Sequence, residues 1–75
     1  MEHIAVESSH LISIGYDAEM QILEVKFNDK STYQYLEVPP GMYNALMGAP
    51  SKGKFLANVI KPVYKCQKLD EQKME

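Results

Sequence analysis

The chain has 75 residues, with 8 basic side chains against 10 acidic ones and a formal net charge of −2. A chain of this length forms one small domain and buries roughly 60–65% of the surface that its unfolded state exposes, so it has room for one modest core. Because no apolar stretch approaches the ~20 residues of a membrane-spanning helix, and because the single cysteine cannot form an internal disulfide, we expect a cytoplasmic protein with no membrane partner.

The first half of the chain predicts an antiparallel β-meander. Residues 1–5 lack a sustained pattern and are expected to form a poorly ordered end. Residues with the strand period follow at about 11–16 and 20–27, and a third β-rich run covers about 31–38. Because the turns between these runs are short, neighbouring strands are expected to pair antiparallel.

Two short helices are predicted after the sheet. The Pro39-Pro40 pair cannot donate to a strand ladder, so the third strand ends there. Apolar residues at helical spacing then indicate a first helix near 40–48, with Pro40 in its first turn. Ser51 suits the N-cap of a second helix near 52–61, which carries an apolar stripe.

These elements predict an α+β fold, a three-stranded antiparallel meander followed by two short helices packed on one face. The domain is expected to span residues 6–68, with 69–75 as a second poorly ordered end. The stretch after Pro62 is expected to form either a short strand or an ordered tail. The helical stripes can be buried only against the sheet, which leaves its other face open. The predicted core comprises Val25, Phe27, Leu46, Phe55, Leu56 and Val59.

An ordered set of short motifs runs through the chain. They are Ser8-Ser9, IGYD at 14–17, L-x-V-x-F at 23–27, Y-x-Y at 33–35, Val38-Pro39, Tyr43, A-x-S-x-G-x-F at 49–55 and I-x-x-x-Y at 60–64. In this order and spacing the chain resembles the KTSC domain over about residues 6–68. That module is named from the C-terminus of some lysyl-tRNA synthetases and also occurs as short stand-alone proteins of bacteria and phages. The resemblance implies an association with RNA and no defined reaction.

One turn departs from the pattern of that family. Where glycine is usual before the Y-x-Y run, this chain has the tetrapeptide NDKS at 28–31. A left-handed backbone conformation at this turn must therefore fall on Asn28 or Lys30.

The lysines are concentrated in the second half of the chain. No acidic residue lies between Val38 and Leu69, so this half is locally basic although the total charge is negative. Such a distribution suits contacts with nucleic-acid phosphates, and it equally suits lysines on the solvated faces of short helices. The lysines in this interval are Lys52, Lys54, Lys61, Lys65 and Lys68.

The segment Ser51-Lys52-Gly53-Lys54 is the candidate phosphate-binding site. The first turn of a helix has unpaired N–H groups, a glycine lets a ligand approach the backbone, and lysines add positive charge. Lys61 and Lys65 are candidate contacts to further phosphates. The alternative interpretation is structural: Ser51 caps its own helix and Gly53 permits close packing of the helix on the sheet. The segment does not have the pattern of a P-loop.

Two tyrosines are candidates for base stacking. Tyr33 and Tyr35 lie two residues apart on a predicted strand, so their rings project from the same face of the sheet. Exposed rings there could stack on unpaired bases, whereas buried rings would complete the core beneath the helices.

The inventory of reactive side chains argues against catalysis. His3, His10 and Cys66 are too few and too dispersed in sequence to supply a zinc site, so no metal, cofactor or catalytic residue is predicted. Two functions from different classes remain open. The first is binding of RNA or single-stranded nucleic acid, and the second is a protein-interaction or self-association module.

Overall fold

The computed structural model describes residues 2–8 and 10–69, and within them one antiparallel sheet has five strands. The strands pair in the order of the chain, β1-β2-β3-β4-β5. The prediction of an α+β fold with an antiparallel sheet is confirmed, whereas the predicted three-stranded meander corresponds to β2 to β4 of this larger sheet. The strands are β1 (His3–Ala5), β2 (Leu11–Asp17), β3 (Ile22–Phe27), β4 (Thr32–Tyr35) and β5 (Cys66–Leu69).

The sheet has two more strands than the sequence predicts. β1 lies within the segment expected to be a poorly ordered end, and it pairs with β2. β5 pairs with β4 and includes Leu69, the first residue of the other expected end. β1 has three residues, too few to establish a period, and β5 lies in the stretch where either a short strand or an ordered tail was expected. Three of the four residues of β5 are exposed, so it shows no apolar alternation. The rest of the second expected end, residues 70–75, lies outside the described residues.

Two helical stretches follow the positions that the sequence predicts. Helix α1 (Pro40–Met47) begins with Pro40 in its first turn, and it ends at Gly48, whose N–H bonds to the carbonyls of the last turn. Helix α2 (Lys52–Phe55) continues as a π-helical segment, Leu56–Ile60. No helix in the described part of the chain has the length and apolarity needed to cross a bilayer.

The core lies between the helices and one face of the sheet. Val25, Leu46 and Leu56 are buried as predicted, and Phe27 and Phe55 are half-buried against them. The fully buried cluster also contains Leu11, Ile14, Leu23, Tyr35, Val38 and Ile60.

Val59 is the error in the predicted core, since its side chain is 36% exposed and Ile60 is buried instead. The π-helical segment explains this difference. The N–H of Lys61 bonds to the carbonyl of Leu56 at 2.8 Å, a step of five residues that widens the turn. The wider turn rotates Val59 away from the face that Leu56 and Ile60 share.

Tyr16 on the sheet fixes both helix α1 and the loop that precedes it. The ring of Tyr16 on β2 stacks on Tyr43 of α1, with ring centroids 4.6 Å apart and planes 8° from parallel. The hydroxyl of Tyr16 donates to the carbonyl of Val38. The sheet and the first helix are thereby tied at the point where the chain leaves β4.

The turn at residues 28–31, which departs from the family pattern, has the predicted left-handed backbone conformation. Lys30 adopts a left-handed conformation with φ of 74°, and its N–H bonds to the carbonyl of Phe27 at 2.9 Å. The carboxylate of Asp29 accepts from the hydroxyl and the N–H of Ser31 at 2.6 and 2.9 Å. These bonds hold the pKa of Asp29 below its usual value.

Candidate nucleic-acid interface

Ser51 caps the helix that begins at Lys52. Its backbone is extended, and its hydroxyl oxygen accepts the N–H of Lys54 at 3.4 Å. The ammonium group of Lys52 bonds back to the carbonyl of Ala49 at 3.5 Å. The capping role predicted for Ser51 is confirmed, and this role by itself needs no ligand.

A polar cleft of about 430 Å³ opens beside this cap. One wall is the loop between β1 and β2, and the other is the start of α2. Ser8 and the A-x-S-x-G-x-F motif, far apart in sequence, therefore contribute to one site. We call this site the polar cleft. Its lining consists of Glu7, Ser8, His10, residues 50–54, Ala57 and Asn58.

Backbone hydrogen bonds fix the position of the loop that forms the first wall. The N–H of Val6 donates to the carbonyl of Ile12 at 3.1 Å, and the N–H of Asn28 donates to the carbonyl of His10 at 2.9 Å. The hydroxyl of Ser8 accepts the backbone N–H of His10 at 3.3 Å. His10 is thus held between the turn after β3 and the start of α2, at the edge of the cleft.

Gly53 faces the loop between β1 and β2 rather than the sheet. A Cβ at this position would lie 3.5 Å from the hydroxyl oxygen of Ser8 and 3.6 Å from Cδ2 of His10. These are ordinary contact distances, so the site has room for a methyl group. The close helix–sheet packing predicted for Gly53 is therefore wrong, and the residue instead contacts Ser8 and His10 in the opposite wall of the polar cleft.

A second, apolar cleft of about 220 Å³ adjoins the first. The two share His10, Gly53 and Ala57, so Gly53 and Ala57 on the helix form a common border. We call this site the apolar cleft. Its remaining lining is Leu11, Phe27, Tyr35, Leu56 and Lys61.

The structure brings some of the predicted phosphate contacts together and separates others. Ser51, Lys52, Gly53 and Lys54 all line the polar cleft, and Lys61 lines the adjoining apolar cleft. Lys65 is in the lining of neither cleft. Its carbonyl accepts the N–H of Leu36 at 2.8 Å, which places it beside the end of β4.

The tyrosines do not form an exposed stacking platform. Tyr33 pairs with Val25 and Tyr35 with Leu23, so both rings lie on the face that the helices cover. Tyr35 is only 1% exposed, and burial raises its pKa to about 12, with Cys66 and Tyr33 adding to the shift. Tyr35 is therefore too deeply buried to stack on an RNA base.

Tyr33 is half-buried and packs edge-on against Phe27, with ring centroids 5.5 Å apart and planes at 85°. The ring of Tyr33 is therefore packed against another side chain on the face that the helices cover. Strand parity predicted that the two tyrosines share a face, and the structure identifies it as the core face.

The open face of the sheet is a hydrogen-bonded polar surface. The ring of His3 bonds to Glu24 at 3.0 Å, Gln34 donates to Glu24 at 3.2 Å, and Gln67 donates to Gln34 at 3.0 Å. The hydrogen bond between His3 on β1 and Glu24 on β3 passes over Gly15 of β2. A Cβ at Gly15 would lie 2.6 Å from the His3 ring. Only glycine leaves space for this crossing.

Sequence reasoning did not identify Ser8 and His10 as site residues, although the Ser8-Ser9 motif was a signal for the first. The structure also shows that the described residues contain no cluster of three or more His, Cys, Asp or Glu that could hold a metal ion. Cys66 is an exposed free thiol.

The five-stranded antiparallel sheet has two helices on one face, and a lysine-lined cleft opens where the second helix begins. These features define a small α+β domain in which a polar and an apolar recess adjoin. Residues 7–64 match the family model of the KTSC domain. The chain belongs to the KTSC domain family.

Known proteins similar to this chain include stand-alone domains and parts of larger enzymes. The crystal structure of a KTSC domain protein from Yersinia pestis superposes with a TM-score of 0.88 at 42% identity, covering 92% of this chain and 97% of that one. An uncharacterized protein of Stutzerimonas stutzeri is 47% identical over 62 residues, which are 83% of this chain and 87% of the relative. A lysine–tRNA ligase of Nostoc punctiforme is 35% identical over 63 residues, which are 84% of this chain and 11% of the ligase.

Proposed function

We propose that this domain is a small non-enzymatic module that binds single-stranded RNA through the phosphates of its backbone, and that the polar cleft is the contact surface. The observation that carries the proposal is the composition of this cleft. Lys52 and Lys54 lie in its lining together with the hydroxyls of Ser8 and Ser51. Ammonium and hydroxyl groups are the donors that phosphate oxygens accept.

The charge of the cleft favours an anion. Two lysines and one glutamate line it, whereas the whole chain has a net charge of −2. Lys54 is exposed and Glu7 is exposed, so both side chains can adjust to a ligand. Lys61 extends the positive charge along the helix to the adjoining cleft. An RNA backbone following the helix would meet lysines at successive phosphates.

The tRNA ligase relative supports nucleic acid over other anions. The region similar to this chain is a small part of that ligase, whose name assigns it a tRNA substrate. A domain that binds RNA would help such a ligase to bind its tRNA. We extend that role to the present chain as part of the proposal.

The test compares two double variants that remove equal charge. Lys52→Gln/Lys54→Gln should keep the wild-type melting temperature and weaken binding of a short single-stranded RNA. The slope of log affinity against log salt should become shallower by about 0.7 per lost phosphate contact. The control Lys30→Asn/Lys68→Gln neutralises two lysines outside both clefts, and its Asn suits the left-handed backbone of residue 30.

The control should bind almost as the wild type does. If the two double variants lose affinity equally, the binding reflects overall charge and the polar cleft is not its site. If wild-type protein binds no RNA even at low salt, the proposed function is wrong.

A second candidate function is docking of a protein partner, which one specific observation favours. A shallow groove of about 310 Å³ shares Pro50, Ser51, Lys54 and Asn58 with the polar cleft, and its surface is mainly apolar. The apolar side chains include Phe55 and the exposed Val59. An apolar surface of this kind binds with little dependence on salt, whereas phosphate contacts weaken steeply as salt rises. The salt dependence of any partner's affinity therefore separates the two functions.

A further inference from the structure

We propose that the apolar cleft receives the base of one unpaired nucleotide whose phosphate lies in the polar cleft. This inference rests on the proposed function and makes it more specific. The ligand would be single-stranded RNA with one base turned out of the stack, and a duplex would not fit because its bases are paired and stacked.

The arrangement of the two clefts carries the inference. They share Gly53 and Ala57, two small residues on the helical side, and His10 on the facing loop. One side of the border has lysines and hydroxyls, and the other has apolar walls. A nucleotide has the same division, with an anionic phosphate joined through a sugar to a flat ring.

The size of the apolar cleft suits a ring rather than a whole nucleotide. Its volume of about 220 Å³ lies below the range of about 300–1,000 Å³ that is usual for sites of drug-sized ligands. The polar cleft, at about 430 Å³, lies within that range. A nucleotide would therefore occupy both clefts, with only its base in the smaller one.

The chemistry of the apolar cleft suits a nucleobase. Leu11 and Leu56 are buried, and Phe27 offers part of an aromatic ring, so a flat ring can replace water there. His10 and Lys61 are exposed and can donate hydrogen bonds to the acceptors at the edge of a base. Sites for unpaired bases combine such apolar or aromatic contacts with a positively charged track for the backbone.

The test measures the contribution of the base separately from that of the phosphates. Wild-type protein is titrated at low salt with a short oligouridylate and with an abasic ribose-phosphate oligomer of equal length. The oligouridylate should bind about tenfold more tightly. In NMR spectra, the amides of Leu56 and Phe27 should shift with the oligouridylate only, and those of Lys52 and Lys54 with both.

Ala57→Leu is the matched variant for the border between the clefts. Residue 57 is exposed and leucine is a good helix former, so the fold should be kept. The added side chain should reduce the affinity ratio of the two oligomers towards one, and Lys68→Gln should leave the ratio unchanged. If Ala57→Leu does not fold, Gly53→Ala is used instead, because its methyl group has ordinary contact distances.

The outcomes distinguish this inference from the function on which it rests. Equal binding of the two oligomers to wild-type protein, with weakening in Lys52→Gln/Lys54→Gln, refutes the base site and leaves phosphate binding intact. A ratio that Ala57→Leu does not change also refutes the base site. Binding of neither oligomer refutes both proposals. If an acidic peptide containing phenylalanine shifts Leu56 and Phe27 while RNA does not, the clefts serve a protein ligand.

Discussion

The buried phenol of Tyr35 links the stability of the fold to alkaline pH. Burial raises its pKa to about 12, above the ordinary value of 10.0, because the phenolate would lose its solvation. Between these two values the folded protein keeps the proton and the unfolded chain releases it. The stabilisation is complete below pH 10 and is lost as the pH rises towards 12.

We therefore expect the free energy of unfolding to fall above pH 10, with a contribution from Tyr35 of at most about 1.4 kcal/mol per pH unit. Tyr35→Phe removes the ionising group, so its stability should decline less steeply over the same range. Urea unfolding of both proteins at a series of pH values checks this. Parallel curves would show that the phenol of Tyr35 does not cause the loss.

Thr32 is a buried residue whose hydroxyl has no hydrogen-bond partner among the described residues. The residue is 2% exposed and lies on β4 between Lys26 and Leu69 of the neighbouring strands. A buried hydroxyl without a partner costs free energy. Thr32→Val keeps the shape and removes that cost, so we expect the free energy of unfolding to rise by about 1 kcal/mol.

Thr32→Ser is the control for this prediction, since it keeps the hydroxyl and loses the methyl group. It should be less stable than the wild type in the same denaturant titration. A drop in stability for Thr32→Val would mean that the hydroxyl is hydrogen-bonded in solution.

At the scale of elements, the π-helical segment decides which side chains of the second helix are buried. The apolar stripe read from the sequence assumes the α-helical period, and it is correct for Leu56 and wrong for Val59. The π-helical turn is defined by the backbone hydrogen bond from the N–H of Lys61 to the carbonyl of Leu56. The pattern of apolar residues does not predict such a bond. Of the two border residues of the clefts, Ala57 lies in this segment and Gly53 lies in α2 before it.

Substitutions at neighbouring positions test the π-helical register. Ile60→Ala should lower the free energy of unfolding by about 2–5 kcal/mol, because the side chain is fully buried. Val59→Ala should change it by less than about 1 kcal/mol, because that side chain is exposed. Chemical denaturation gives both values. Similar costs for the two variants would indicate a regular α-helix with both residues against the sheet.

The two edge strands, β1 and β5, could not be predicted from the periodicity of the sequence. β2, β3 and both helices could be predicted because each has a sustained period or a proline or glycine at its boundary. β1 has three residues and β5 has four, and each is defined by pairing with a longer neighbour. Pairing of this kind is a tertiary property that alternation within the strand does not encode.

At the scale of the whole molecule, one of the two walls of the polar cleft could be predicted from the sequence. The Ser51–Lys54 turn could be identified from its capping residue, glycine and lysines. Its opposite wall could not, because tertiary contacts bring Ser8 and His10 to α2. These contacts include the hydrogen bond from the N–H of Asn28 to the carbonyl of His10 and the packing of β2 on the core. The face of Tyr33 and Tyr35 was likewise undetermined, since both faces of the strands carry apolar residues.

The central claim is that the polar cleft binds the phosphates of single-stranded RNA, and the most direct test is chemical-shift mapping on the wild-type protein. A short single-stranded RNA is added at low salt, and the same titration is repeated at high salt. We predict that the amides of Ser8, His10 and residues 51–54 shift, that Gln34 and Gln67 on the open face of the sheet do not, and that the shifts diminish as salt rises. Shifts confined to the open face, or no shifts at low salt, would contradict the claim.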